Sequence, residues 1–84
     1  MPTFDFDRIT PRDEAALRKG GAQTEWLRDR WEVPFCRVTF PEEVPVGAGR
    51  LPASRRFTAA GLRLRVLPLR EGAFYEEGFA LEIE

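Results

Sequence analysis

Histidine and asparagine are absent from this 84-residue chain, and glutamine, lysine, methionine, cysteine, serine and tyrosine occur once each. Without histidine there is no imidazole general base, no His-based catalytic triad and no His-ligated metal centre. A single cysteine excludes an internal disulfide and a thiolate metal cluster. No apolar run approaches the ~20 residues that a membrane-spanning helix needs. The stretch from Met1 to Asp7 has no basic start and no apolar core, so it does not read as a secretory signal. These absences lead us to expect a cytoplasmic protein with no membrane contact, no cofactor, no metal and no enzymatic activity. Arginine outnumbers lysine twelve to one. That bias fits a GC-rich genome, and the shortage of Asn, Gln, Cys and Met also fits a thermophilic host; the two readings are compatible.

What is present suits one domain. Apolar residues make up 43% and charged residues 32% of the chain, too apolar for disorder and enough for a small core. The clearest pattern is in two runs of strict alternation, Leu62-Arg63-Leu64-Arg65-Val66 and Phe79-Ala80-Leu81-Glu82-Ile83-Glu84. Side chains alternate faces on a strand, so each run has one apolar and one polar face. An antiparallel register that sets Leu64 against Ile83 and Val66 against Leu81 also sets Arg65 against Glu82 and Arg63 against Glu84. It satisfies the core and the cross-strand charges together. The same register puts Arg70 opposite Glu77.

Earlier in the chain, Phe4 and Phe6 alternate with Asp5 and Asp7, which predicts a strand over 3–8. Thr10-Pro11-Arg12-Asp13-Glu14 is a helix start, with a capping hydroxyl, proline at the first position and acids at the positive end of the dipole. The helix is expected over 11–31, with a buried stripe of Leu17, Gly20, Thr24, Leu27 and Trp31. Gly20-Gly21 either breaks it or allows close approach to a sheet; one continuous helix is preferred because the stripe stays in phase. Trp26 then lies off the stripe beside Ala15 and Ala22. Phe35 to Phe40 predicts a second strand with Cys36, Val38 and Phe40 on one face. Residues 41–54 form a Pro/Gly-rich loop, 55–59 a short strand, and Ala60-Gly61 a turn. A hairpin of 62–69 and 77–84 follows, with Pro68 expected at a bulge or an edge.

The expected fold class is therefore α+β: one N-terminal helix packed on an antiparallel sheet of four to five strands, in the order β-α-β-β-β-β. This order resembles that of cystatin-like folds, in which an inhibitory loop follows the strand after the helix; Val44-Pro45-Val46-Gly47-Ala48-Gly49 holds that place. The glutamine-led consensus of the loop is missing, so the resemblance concerns element order alone.

Candidate chemistry is sparse. Cys36 falls on an apolar strand face with nothing to activate it and reads as buried and inert. Asp5 and Asp7 share a face but have no third or fourth oxygen ligand nearby, so a solvated face is the better reading. Gly47-Ala48-Gly49-Arg50 lacks the third glycine of a dinucleotide fingerprint and the ending of a phosphate loop. Charge is segregated: six arginines and no acid lie between Val44 and Arg70, and five glutamates and no base follow from Glu71. The hairpin register neutralises half of those arginines and leaves Arg50, Arg55 and Arg56 free. The expected function is a small non-catalytic protein-interaction module or accessory subunit. Trp26, Val46 and Arg50 are its candidate contacts, its partner is another protein, and an unpaired sheet edge could support a homodimer. The alternative is a nucleic-acid-binding protein that uses Arg50, Arg55 and Arg56 for phosphates and Phe57 for stacking. An enzyme built on carboxylates or Tyr75 ranks last.

Overall fold

The computed structural model describes residues 2–44, 56–69 and 78–84. The order is β1 (Thr3–Phe6), α1 (Pro11–Lys19), β2 (Gln23–Arg28), β3 (Pro34–Thr39), β4 (Arg56–Ala59), β5 (Leu62–Leu69) and β6 (Gly78–Ile83). The strands form two three-stranded antiparallel sheets, β1-β3-β2 and β4-β5-β6. The expected architecture, a long helix laid on one sheet of four to five strands, is thus corrected, and the cystatin-like order goes with it. The helix has nine residues, and a strand occupies the place of its expected second half.

The helix begins as the sequence requires. Thr10 is extended and its Oγ1 accepts from Asp13 N at 3.2 Å, Pro11 opens the first turn, and Asp13 and Glu14 face the positive end of the dipole. It stops at the two glycines. Gly20 is the C-cap, its N–H bonding back to Ala16 O and Leu17 O, and Gly21 takes φ +100°. Gly20 also touches the β4–β5 turn. A Cβ built on it would lie 2.9 Å from both the carbonyl carbon and the Cβ of Ala60, and closer still to the carbonyl oxygen. The two roles weighed for this glycine therefore coexist. Of the expected helical stripe only Leu17 is buried; Thr24 and Leu27 are half-buried on β2, and Trp31 is exposed in the turn beyond it.

The β2–β3 turn is built by Asp29. Its Oδ1 accepts from Trp31 N at 2.8 Å and Val33 N at 3.0 Å, and its carbonyl accepts from Glu32 N at 3.0 Å. Glu32 takes φ 63°, a left-handed conformation that costs a non-glycine residue roughly 1–2 kcal/mol. The β4–β5 turn is the two-residue Ala60-Gly61, both with positive φ (52° and 72°), as the right-handed twist of a tight hairpin demands.

The β5–β6 register is the one that the alternation and the charges specify. Leu64 pairs with Ile83, Arg65 with Glu82 and Val66 with Leu81. Arg65 Nη2 lies 3.0 Å from Glu82 Oε2. Glu84 N donates to Arg63 O at 2.9 Å, but the Glu84 carboxylate turns to Arg56 Nε at 2.6 Å instead of to Arg63. Pro68 makes no bulge and stays in register opposite Phe79. Alternation of the ladder sends the odd residues of β5 to β6 and aims the even ones at β4. Described β4 pairing ends at Arg65, so the missing N–H of Pro68 points beyond that pairing. Arg70 and Glu77 lie outside the described residues.

One core joins the sheets. Phe6, Cys36, Val38 and Phe40 from the first sheet and its end meet Phe57, Leu64, Val66 and Leu81 from the second, with Leu17 from α1. Phe40 stands edge-on to Phe57 at a centroid distance of 5.8 Å and is tilted against Phe4 at 6.1 Å. Beyond β1 the chain crosses to the second sheet. Asp7 N donates to Phe79 O at 2.8 Å, Leu81 N donates to Arg8 O at 3.1 Å, and Asp7 Oδ2 accepts from Phe79 N at 3.1 Å. The residues just past β1 thus bridge to β6, and among the described residues no strand borders the outer side of β2 or β4.

Candidate interaction surface

The β2–β3 hairpin carries every large, well-exposed apolar side chain among the described residues: Trp26 (45% exposed), Trp31 (54%) and Val33 (51%). Trp31 and Val33 sit in the Asp29 turn. The Arg30 guanidinium carbon lies 4.2 Å from the centroid of the Trp31 ring. Half-buried Leu27 and Phe35 pair across the outer face of the same hairpin. These side chains are divided between the two faces and the turn of the hairpin, and exposed tryptophan is enriched where binding energy concentrates.

Trp26 belongs to β2 and not to the helix on which the sequence placed it. It sits opposite Cys36, at the seam with α1. Its Nε1 donates to Glu14 Oε2 at 2.7 Å, which fixes the ring while leaving much of it in solvent. Arg18 steadies the same seam, with Nε donating to Thr24 Oγ1 and Nη2 lying 3.8 Å from Glu14 Oε2. Beneath it the Cys36 thiol is fully buried. Desolvation, reinforced by the nearby Glu14 charge, pushes its pKa up to about 11, so at neutral pH it is a protonated apolar filler and not a nucleophile.

The other sequence-derived candidates are not gathered here. Val46, Arg50 and Arg55 lie outside the described residues, as does Tyr75. Arg56 is exposed on β4, but it is ion-paired to Glu84 and so is not free as the sequence suggested. Phe57 is 7% exposed and packs against Phe40, so its ring is part of the core and offers solvent no stacking face. Asp5 is engaged by Arg37, with Nε to Oδ1 at 2.9 Å, and Asp7 by Phe79 N, so the two acids do not act as a pair. Among the described residues no group of three or more His, Cys, Asp or Glu is placed to hold a metal, and no helix is long and apolar enough to cross a membrane. Trp31 and Val33 were missed because helical spacing absorbed Trp31. The signal that could have found them is Asp29 followed five positions later by Pro34, a turn opener ahead of a strand start.

No protein-family model matches the chain, and no curated protein or solved structure matches it significantly.

Proposed function

We propose that this protein is a small, non-catalytic interaction module that binds a protein partner through the β2–β3 hairpin. One observation carries the reading: Trp26, Trp31 and Val33 are exposed together on a single hairpin whose backbone is fixed by the Asp29 turn and the Glu14–Trp26 bond. A fixed aromatic contact loses little side-chain freedom on binding, which favours affinity. The nucleic-acid alternative loses ground, because Phe57 is committed to the core and Arg56 to Glu84. A reduced, buried Cys36 fits a cytoplasmic setting.

The test is affinity capture with the full chain, wild type against Trp31→Ser with Val33→Ser, followed by measurement of the affinity of each captured protein in purified form. These turn positions are well exposed, so the fold should be retained, as circular dichroism would verify. A purified partner whose affinity falls tenfold or more in the variant supports the reading. Equal affinity of the wild type and the variant for every captured protein other than a second copy of the chain, or a chain that neither self-associates nor captures anything, would overturn it.

A further inference from the structure

The backbone of β2 has an unused side. Phe40 N donates to Pro2 O, so the even residues of β3 bond toward β1 and the odd ones, Phe35, Arg37 and Thr39, bond toward β2. In the paired strand Gln23, Glu25 and Leu27 then point their N–H and C=O groups inward. Asp29 N bonding to Val33 O continues that pattern. Thr24, Trp26 and Arg28 point theirs outward. Thr24 O is partly engaged by Arg18 Nη2 at 3.4 Å; the outward groups of Trp26 and Arg28 have no partner among the described residues. Edges are commonly blunted by brevity, proline, lysine or a bulge. β4 is short and its arginine lies over its own sheet, whereas β2 runs six residues without proline, lysine or a bulge, and α1 reaches its outward backbone only at Thr24, through Arg18.

We propose that a second copy of this chain adds to this edge, antiparallel about a two-fold axis at Leu27, and joins the two β1-β3-β2 sheets into one of six strands. This rests on the reading of the hairpin as the binding surface and names its occupant. Two pairings favour this register, which also sets Glu25 opposite Asp29 of the other copy, whose carboxylate is turned to Trp31 N and Val33 N. With Leu27 opposite Leu27 of the other copy, two half-buried aliphatics meet on the outer face. On the inner face Trp26 falls opposite Arg28 of the other copy, twice over by symmetry, and sets a guanidinium against an exposed indole. Arg28 Nη1 is held by Glu32 O at 3.0 Å, which places the cation at the hairpin's end with its other donors unbonded among the described residues. Trp26 and Arg28 are also the residues with free outward backbone groups, so the side-chain and backbone pairings coincide.

The experiment is light scattering on the full chain from micromolar to millimolar concentration, beside oxidative cross-linking. A concentration-dependent dimer is expected, with Leu27→Glu raising its dissociation constant at least tenfold and Trp26→Ala raising it severalfold. In a Cys36→Ala background Leu27→Cys should form a disulfide-linked dimer, because a cross-strand pair at the axis lies within bridging distance. A monomer throughout the concentration range overturns the proposal. So does a dimer that cross-links through Trp26→Cys but not through Leu27→Cys. A monomeric chain that still binds a purified partner through Trp31 and Val33 would refute the self-pairing alone and leave the broader reading standing.

Discussion

Replacing Gly20 by alanine should destabilise this protein, although the same change in an exposed helix interior would stabilise it by about 1 kcal/mol. The sign separates two accounts of the Gly20-Gly21 pair. In a helix running on to Trp31, Gly20 is a helical position where alanine gains propensity. In the structure it is a C-cap pressed on the β4–β5 turn, and an added Cβ would meet Ala60 carbonyl carbon and Cβ at 2.9 Å and its oxygen closer still. Those atoms belong to a rigid two-residue turn, and Ala60 N is itself held by a Glu42 carboxylate oxygen, so no flexible side chain can yield. Relief requires the helix end or the turn to shift. Overpacking of this kind costs about 1–3 kcal/mol. A chain of 84 residues has a total stability of about 4–13 kcal/mol at typical per-residue values, so the loss is a large fraction of it. The midpoint of thermal unfolding should fall by about 5–20 °C. Urea and thermal denaturation followed by tryptophan fluorescence measure both. Gly21→Ala is the companion. Its nearest neighbour is Pro41 at 3.7 Å, so it tests backbone strain at φ +100° without a clash. Higher stability in Gly20→Ala would refute the packing of α1 against the turn.

Two further outcomes follow from the ionisable groups. The unfolded Cys36 thiol ionises around its ordinary 9.0, while the folded one is held protonated to about 11, so the unfolded state gains stability as pH rises between those values. Folding stability should fall by about 2 kcal/mol from pH 9 to pH 11; urea denaturation across that range should show a slope that Cys36→Ala removes, and an unchanged slope in the variant would count against the assignment. The partly exposed Arg65–Glu82 pair should give a coupling of about 0.2–1 kcal/mol in a double-mutant cycle, shrinking in high salt; zero coupling at low salt would mean that the charges merely tolerate a register set by Leu64, Val66 and Leu81.

The elements that the sequence determined by itself are those in which local periodicity and charge agree. In β5–β6, aliphatics and opposite charges alternate together, and one register satisfies both, as the pairing of Arg65 with Glu82 shows. The start of α1 is equally local, because a cap, a proline and two acids act within a single turn. The tight Ala60-Gly61 turn belongs with them. Residues 23–31 are different. Thr24, Leu27 and Trp31 fit a helical stripe, while Thr24, Trp26 and Arg28 fit one face of a strand, and no local energy separates the two readings. β3 settles the matter. Its odd residues aim N–H and C=O groups away from β1, and a second neighbour must satisfy them. Gln23–Arg28 becomes that neighbour, which moves Trp26 onto a sheet edge and lifts Trp31 and Val33 into solvent. The fate of Phe57 and Arg56 was likewise settled in three dimensions, by Phe40 and Glu84, which are distant in sequence. Pairing between neighbouring segments is written in their own side chains. Which strand completes a sheet depends on hydrogen-bonding groups that every residue shares, so composition and spacing leave it open.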